Sequence, residues 1–208
     1  MHRVIASCAI FLLILPLAAV AGPTTAQLAA RMAQRIEQAP VLRADFTQEK
    51  QMAAFRKPLQ TRGQFTFASG QGVIWQIEAP LKVAYVLGED RIVEIGEDGA
   101  AQVRTARDIP GLAQVGALLR ALLGAQTDTL AELFTVTPAG TLDAWFLTLT
   151  PKPGLLAQAM REVRMNGSRH VERIYIEEAN GDSITLNFGN FREDRALLPA
   201  ERERFGLR

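Results

Sequence analysis

The chain has 208 residues, 48% of them hydrophobic and 22% charged, with 23 basic side chains against 22 acidic ones. This composition excludes a multi-span membrane protein and a disordered tail. The near-zero net charge also lacks the basic excess by which nucleic-acid binders attract phosphates. We therefore expect one folded domain with a hydrophobic core and no nucleic-acid partner.

Residues 1–21 have the three parts of a secretory signal peptide. Arg3 supplies the positive start, an apolar run follows, and Ala19-Val20-Ala21 has the small side chains of a cleavage site. We expect cleavage before Gly22, a single mature domain at 22–208, and localisation to a bacterial periplasm or a similar space, with eukaryotic export as the alternative. The alternative is an uncleaved membrane anchor, although the run barely reaches the roughly 18–20 apolar residues that a spanning helix requires.

The only cysteine, Cys8, lies within this signal. The mature chain should therefore contain no disulfide, no thiolate metal site and no cysteine nucleophile. The main apolar run follows Cys8, whereas a lipoprotein signal places that run before its cysteine. We therefore expect a soluble protein without a lipid anchor.

The first predicted element of the mature chain is a helix that Thr25 can cap and that ends before Pro40. Its apolar positions Leu28, Met32 and Ile36 recur every four residues. After Pro40 the apolar period changes to two, which is typical of strands with one apolar face, and short turns separate the strands. The strands predicted in this half span 42–47, 62–67, 73–78, 81–87, 90–96 and 100–105.

Residues 108–124 form the most apolar segment of the mature chain. Asp108 and Pro110 favour a helix start and Gly124 a helix end, and only Gln114 and Arg120 are polar between 111 and 124. A helix this short cannot span a bilayer, so the protein itself should cover it. We predict a lid here, followed by a second short helix at 128–133. The lid residues that would face the sheet are Leu112, Val115, Leu119 and Leu122.

The second half returns to the strand pattern. Strands are predicted near 142–149, 160–166 and 170–178, and Asn180-Gly181 forms a two-residue hairpin turn into a strand at 184–188. The tail after Arg192 should pack as a terminal turn. No linker or composition shift divides the chain, which favours one domain.

These elements predict a mainly β fold with helices. About ten or eleven antiparallel strands should curl into an open half-barrel, because a twisted sheet must bury its single apolar face, and a helical lid should cover it. The same pattern also fits a solid, close-packed core. The inward side chains that would line a ligand cavity are Phe46, Phe65, Phe67, Trp75, Tyr85, Trp145, Ile176, Leu186 and Phe188.

The order and spacing of several short motifs resemble the LolA family of periplasmic lipoprotein carriers over residues 25–192. The motifs are Phe46-Thr47-Gln48-Glu49-Lys50, Gly63-Gln64-Phe65-Thr66-Phe67, Val73-Ile74-Trp75-Gln76-Ile77 with Pro80, Leu147-Thr148-Leu149-Thr150-Pro151-Lys152 and Asn180-Gly181-Asp182. The resemblance implies an open barrel with a helical lid around a cavity for acyl chains. It also implies an acylated lipoprotein or lipid as cargo, an inner-membrane donor complex and an outer-membrane acceptor.

One position departs from that family. Its members carry an arginine directly before a proline, six residues before the strand tryptophan, and this arginine latches the lid. The matching positions here are Ser69 and Gly70, so the chain resembles a divergent LolA-like branch with an altered lid equilibrium. Arg62 or Arg91 could substitute, although ordinary surface positions explain both.

We therefore expect a soluble, monomeric carrier without a cofactor. The alternative is a sensor or scaffold on the same fold that binds lipid or a protein partner. An enzyme is disfavoured because His170 is the only histidine outside the signal, in an expected exposed turn, without the spacing of a catalytic triad or a metal site. The acidic clusters fall at turns and strand ends, where solvated edges explain them.

Overall fold

The computed structural model describes residues 23–88, 92–104 and 127–207. The predicted signal peptide and the predicted lid helix lie outside these residues and stay predictions. The helices are α1 (Thr25–Gln38), α2 (Thr127–Leu133), α3 (Leu155–Ala159) and α4 (Pro199–Arg204). The strands are β1 (Val41–Gln51), β2 (Leu59–Ala68), β3 (Gly72–Ala79), β4 (Val83–Leu87), β5 (Ile92–Ile95), β6 (Ala101–Arg104), β7 (Phe134–Thr141), β8 (Ala144–Pro151), β9 (Met160–Gly167), β10 (Val171–Glu178) and β11 (Ser183–Asp194).

Helix α1 is capped by Thr24, so the prediction that Thr25 is the cap was wrong by one residue. The Gln27 N–H donates to Thr24 Oγ1 at 3.2 Å, and Gln27 Oε1 accepts the Thr24 N–H at 2.8 Å. This reciprocal arrangement satisfies two of the backbone donors that a helix N-terminus leaves unpaired. The cap fixes the entry of the chain into the domain.

The eleven strands form one antiparallel sheet in the order β6-β5-β4-β3-β2-β1-β11-β10-β9-β8-β7. Strands β1 to β6 form one meander and β7 to β11 a second, and the pairing of β1 with β11 joins them. Strands β6 and β7 are the two edges, so the sheet is not closed. The prediction of a mainly β fold with a single open antiparallel sheet is confirmed.

The sequence missed β7 and underestimated β11, which runs to Asp194. Pro138 and Gly140 interrupt the apolar alternation of β7. A proline is tolerated there because β7 is an edge strand with one paired neighbour in the described sheet. The turn between the strands predicted at 160–166 and 170–178 begins one residue later than expected, because β9 continues through Gly167.

The strand register divides the sheet into two faces. Phe46 stands opposite Gly63 on β2 and Phe188 on β11, and Phe65 stands opposite Trp75. Directly opposed residues of antiparallel strands share a face, so these side chains lie on one side, which we call the inner face. Arg43, Thr66 and Ile74 alternate with them and lie on the opposite side, the outer face.

The outer face carries a second, smaller core, which the expectation of a single apolar face did not include. Ala68, Ile74 and Val86 are buried against Phe205, which follows α4 at the C-terminus. Leu197 and Leu207 pack against the same cluster. The tail therefore forms a helix that covers part of the outer face, where only a terminal turn was expected.

Arg43 fastens this tail to the sheet. Its side chain is only 9% exposed, and its guanidinium donates to both carboxylate oxygens of Glu201 at 2.6 and 2.5 Å and to Asp194. Thr66 Oγ1 donates to Glu201 as well, at 3.2 Å. The buried charge of Arg43 is thus fully paired, as burial of an ion requires.

Protonation of Glu201 should weaken this attachment. Burial acts to raise the pKa of Glu201, but the hydrogen bonds from Arg43, from the Leu198 N–H and from Thr66 outweigh it and hold the pKa below its ordinary value of 4.5. A folded-state pKa below the unfolded one stabilises the fold above about pH 4.5, and this stabilisation is lost as the pH falls through the folded-state pKa.

We predict that Glu201→Gln lowers the free energy of unfolding at neutral pH by roughly 1–3 kcal/mol, because Arg43 loses a charged partner. The difference from wild type should shrink as the pH falls below about 4.5 and through the lower folded-state pKa of Glu201, because the wild-type carboxyl group then becomes neutral, as the glutamine is. Urea denaturation at neutral and acidic pH measures both effects. Glu203 is an exposed carboxylate on the same helix, so Glu203→Gln is the matched control. It should change neither the free energy of unfolding nor its dependence on pH.

Candidate functional site

All nine predicted cavity residues lie together in one apolar cluster on the inner face. The cluster draws on strands from both meanders, because the pairing of β1 with β11 places their apolar sides next to each other. Eight of the nine side chains are buried and Tyr85 is half-buried. The buried members are Phe46, Phe65, Phe67, Trp75, Trp145, Ile176, Leu186 and Phe188.

Four aromatic rings form the centre of this cluster. The ring centroids of Phe46 and Trp75 are 4.0 Å apart, and Phe188 meets Phe65 edge-on at 5.3 Å and Trp75 edge-on at 6.2 Å. Tilted and edge-to-face contacts at such distances are the favoured arrangements of aromatic pairs. The centre of the inner face is therefore a close-packed aromatic platform that spans β1, β2, β3 and β11.

Trp145 supplies a further ring from β8. Its indole Nε1 donates to the Ser168 carbonyl at 2.9 Å, which satisfies the polar end of a side chain that is 4% exposed. Gly167 makes room for this ring, since a Cβ built on Gly167 would lie 2.6 Å from Cζ2 of Trp145. Both tryptophans of the chain thus lie on the inner face.

The inner face becomes more exposed toward one end of the sheet, where β1 and β3 end and β2 and β4 begin. Ile77 and Ile184 are only half-buried, although both pack against the buried cluster. Leu59, which faces Lys50 on β1, is 49% exposed. Apolar side chains therefore extend from the aromatic platform toward an exposed rim, and we call Ile77, Ile184 and Leu59 the apolar strip. Gln48, Thr61 and Lys50, which pairs with Glu178 at 3.0 Å, lie beside it on the same face.

An ion pair interrupts the apolar inner face near its β6 edge. Glu94 stands opposite Tyr85 on the neighbouring strand, and the Arg104 Nε atom donates to Glu94 Oε2 at 3.0 Å. Burial raises the pKa of the Tyr85 phenol, the Glu94 charge raises it further, and Arg104 opposes the change. The ion pair of Glu94 with Arg104 thus places charge next to the aromatic platform.

The described helices cover only part of this face. Leu28 of α1 and Leu130 of α2 are buried members of the inner cluster, and α1 contacts α2 and β7. The predicted lid residues Leu112, Val115, Leu119 and Leu122 lie outside the described residues. Within the described ranges, no helix is both long enough and apolar enough to cross a membrane.

The position of the family's latch arginine is a simple surface turn in this chain. Ser69 is exposed, and its backbone N–H donates to the Pro40 carbonyl at 2.9 Å. Arg62 is exposed on the outer face, as expected for an ordinary surface residue, and Arg91 lies outside the described residues. The buried arginine is Arg43, which the sequence did not single out because its alternation placed it on a polar face.

The expectation of an exposed His170 was wrong. Its side chain is 12% exposed, with the ring centroid 4.5 Å from that of Phe191 and Nε2 3.3 Å from a carboxylate oxygen of Glu193. Strand β11 extends past position 188 and brings both partners beside the turn at 168–170. A packed, paired histidine explains this position without catalysis.

A polar cavity of about 450 Å³ lies on the outer face, between the sheet and α4. Arg43, Thr66 and Glu201 line it together with Gln64 and Arg204. It contains the attachment of the tail and is separated from the inner face by the sheet itself. Among the residues that the structure describes, no group of three or more metal-binding side chains is present.

We predict that the Tyr85 phenol titrates above its ordinary pKa of 10.0, because burial and Glu94 both disfavour the phenolate. The chain has two tyrosines, so the ultraviolet absorbance of tyrosinate in Tyr175→Phe reports Tyr85 alone. Glu94→Gln in this background should lower the pKa, while Glu162→Gln, on the distant strand β9, should leave it unchanged. Titration of Tyr85 at or below its ordinary value would contradict the assigned burial.

Comparison with known proteins adds family evidence to this geometry. The chain is similar to the crystal structure of a LolA superfamily protein from Nitrosomonas europaea, with 11% identity and a TM-score of 0.48 over 87% of this chain and 97% of that one. It is also similar to the MucA/MucB complex structure from Pseudomonas aeruginosa, with 12% identity and a TM-score of 0.45 over 85% of this chain and 59% of that one. A third similar structure is the lipoprotein LppX from Mycobacterium tuberculosis, with 13% identity and a TM-score of 0.38 over 82% of this chain and 97% of that one.

None of the curated protein sequences matches this chain. The structural similarities are too distant to carry a functional argument. The sequence model of a family described as "Outer membrane lipoprotein carrier protein LolA-like" does match, over residues 21–191, which is most of the chain. The protein therefore belongs to the LolA-like family of outer membrane lipoprotein carrier proteins.

Proposed function

We propose that this protein is a periplasmic carrier that binds the acyl chains of a lipoprotein or lipid on its inner face. It would receive its cargo from an inner-membrane donor and deliver it to an outer-membrane acceptor. The observation that carries this proposal is the apolar strip from the aromatic platform to the half-buried Ile77 and Ile184, which continues beyond the buried core. Membership of a carrier family supports it.

The energetics of acyl chains explain why a carrier needs such a face. Moving a methylene group from water into an apolar environment is favourable by about 0.8 kcal/mol, so one chain of about 15 methylenes represents roughly 12 kcal/mol. An acylated molecule therefore does not leave a membrane for water at a useful rate. A protein that presents a preformed apolar surface removes most of this barrier.

A cover for the bound chain is the second requirement of the proposal. Residues 105–126 connect β6, one edge of the open sheet, with α2 and β7 at the other edge. The almost wholly apolar stretch 111–124 lies within this connection. We assign it the role of a lid that covers the inner face when no acyl chain is bound.

Periplasmic delivery is also part of the proposal, supported by the signal-peptide pattern of residues 1–21. Covalent chemistry has no role in it, because the inner face offers apolar contacts and the ion pairs of Glu94 with Arg104 and of Lys50 with Glu178, and the single described histidine is packed and paired. The action is binding and release.

The first test is whether the protein binds acyl chains. The mature protein, purified from membranes, should carry acyl lipids that mass spectrometry detects. A brominated fatty acid should quench the fluorescence of Trp75 and Trp145, because both rings lie on the inner face. Absence of lipid and of quenching, together with normal lipoprotein and lipid localisation in a deletion strain, would refute the carrier.

A charge on the exposed part of the apolar strip should block this binding. Ile77→Glu is expected to weaken quenching by about tenfold or more, because a carboxylate opposite Gly63 and Val83 would be buried beneath the ligand without a cation opposite it. Phe146→Glu, at a 55% exposed position on the outer face, is the matched control and should bind as wild type. Equal quenching in both variants would place the ligand elsewhere.

The lid assignment has its own test. Leu119→Glu should weaken lipid retention while the protein stays folded by circular dichroism, because a charged lid residue no longer covers the inner face. Unfolding of this variant would identify the segment as core and contradict the lid. Lipid binding with undisturbed lipoprotein localisation in a deletion strain would instead favour the sensor or scaffold function.

A further inference from the structure

One end of the sheet presents exposed apolar side chains on two neighbouring loops. Phe55, in the loop between β1 and β2, is 60% exposed, and Leu81, in the turn between β3 and β4, is 76% exposed. Leu59 begins β2 and is 49% exposed. Such large apolar groups are seldom clustered on a surface without a contact to make.

The register brings the two loops together. Arg62 of β2 pairs with Ala79 of β3, so residues 59–61 run alongside the turn at 80–82. Gln60, Thr61 and Pro80 line a common groove, which shows that the two segments adjoin. We call residues 52–59 together with 80–82 the loop edge.

The loop edge is positively charged. Arg56 and Lys57 directly follow Phe55, and neither lies within ion-pair distance of a carboxylate in the described part of the chain. No acidic residue occurs between Glu49 and Glu78 in the sequence. The uncompensated charge thus stands next to the exposed aromatic ring.

The acidic residues near this edge form no ion pair with Arg56 or Lys57 in the described part of the chain. Glu49, which lines the same groove, and Glu78 are exposed on the outer face, and Glu178 pairs with Lys50 at 3.0 Å.

Glu97, in the turn between β5 and β6, lies 3.7 Å from Lys82 and compensates that lysine. Asp98 accepts the Ala100 N–H within its own turn. Asp182 accepts the Ala53 N–H at 2.9 Å and holds the base of the 52–58 loop.

We propose that the loop edge docks this protein onto the surface of an anionic phospholipid bilayer. Phe55 and Leu81 would enter the boundary between headgroups and acyl chains, and Arg56 and Lys57 would pair with lipid phosphates. Exposed apolar groups flanked by basic side chains bind anionic membranes through both contributions. Docking would also place Leu59, the end of the apolar strip, at the bilayer surface, where an acyl chain could pass onto the inner face.

The biological purpose of this docking rests on the proposed carrier function, but the docking itself is measured separately. In flotation assays the mature protein should bind vesicles of phosphatidylethanolamine and phosphatidylglycerol, bind phosphatidylcholine vesicles weakly, and lose binding as the salt concentration rises. Arg56→Glu/Lys57→Glu should lower the partition coefficient by at least about tenfold. Phe55→Ser should lower it by about fivefold or more.

Two variants control for general surface effects. Phe146→Ser removes a similarly exposed phenylalanine from the outer face, and Arg173→Glu/Arg195→Glu makes the same change in net charge away from the loop edge. Both should float as the wild type does. Equal binding of the loop-edge and control variants overturns the proposal. The proposal is also overturned if the wild type floats with neither vesicle type. In that case, dependence of cargo delivery on Phe55 would assign the loop edge to a protein partner.

Fluorescence quenching by the brominated fatty acid distinguishes the two proposals. The loop-edge variants should retain quenching, because the platform of Phe46, Phe65, Trp75 and Phe188 is unchanged. Loss of docking with quenching intact supports both proposals together. If the wild type floats with anionic vesicles but shows no quenching, the docking proposal stands and the carrier proposal is refuted. If it shows quenching but does not float, the carrier proposal stands and the docking proposal is refuted.

Discussion

An antiparallel sheet that does not close leaves one wide apolar face that its own strands cannot cover, and every other feature of this protein depends on that constraint. The pairing of β1 with β11 makes the constraint severe, because it joins two meanders side by side and merges their apolar sides. Phe46 and Phe188 meet across this seam. Among the side chains that the structure describes, the helices contribute Leu28 and Leu130 to the buried cluster, and Leu156 packs against it.

The outer face is covered in a different way, by the C-terminal tail. There the C-terminal helix is fixed by a buried guanidinium that reaches Glu201 and Asp194 at once, and Phe205 completes a small core. Arg43 lies on β1, in the centre of the sheet, so the attachment ties the tail to the most extensively paired strand. This attachment covers part of the outer face independently of the inner cluster.

The sequence predicted most strands and all nine inner-face residues because both follow from a single signal, the alternation of apolar and polar side chains. It failed where tertiary contacts override that signal. Arg43 and Thr66 appear polar and therefore solvated in the alternation, yet the tail buries both. His170 seemed exposed because its partners Phe191 and Glu193 lie more than twenty residues away along the chain. The sequence alone could not predict the loop edge, because single exposed apolar residues are common and only the strand register shows that the two loops adjoin.

In the proposed carrier, release of cargo requires that the bound acyl chain and the lid that replaces it have similar free energies of burial on the inner face. One acyl chain contributes about 12 kcal/mol on leaving water. Burial of a Val or Leu side chain contributes about 1.5–3 kcal/mol, so the four proposed lid residues together supply about 6–12 kcal/mol. The lid and one acyl chain are therefore comparable competitors for the same inner face. In the family the latch arginine would add to the lid's side of this balance. With Ser69 in a surface turn that contribution is missing, so the proposed equilibrium shifts toward the bound cargo, and contact with an acceptor must supply the difference.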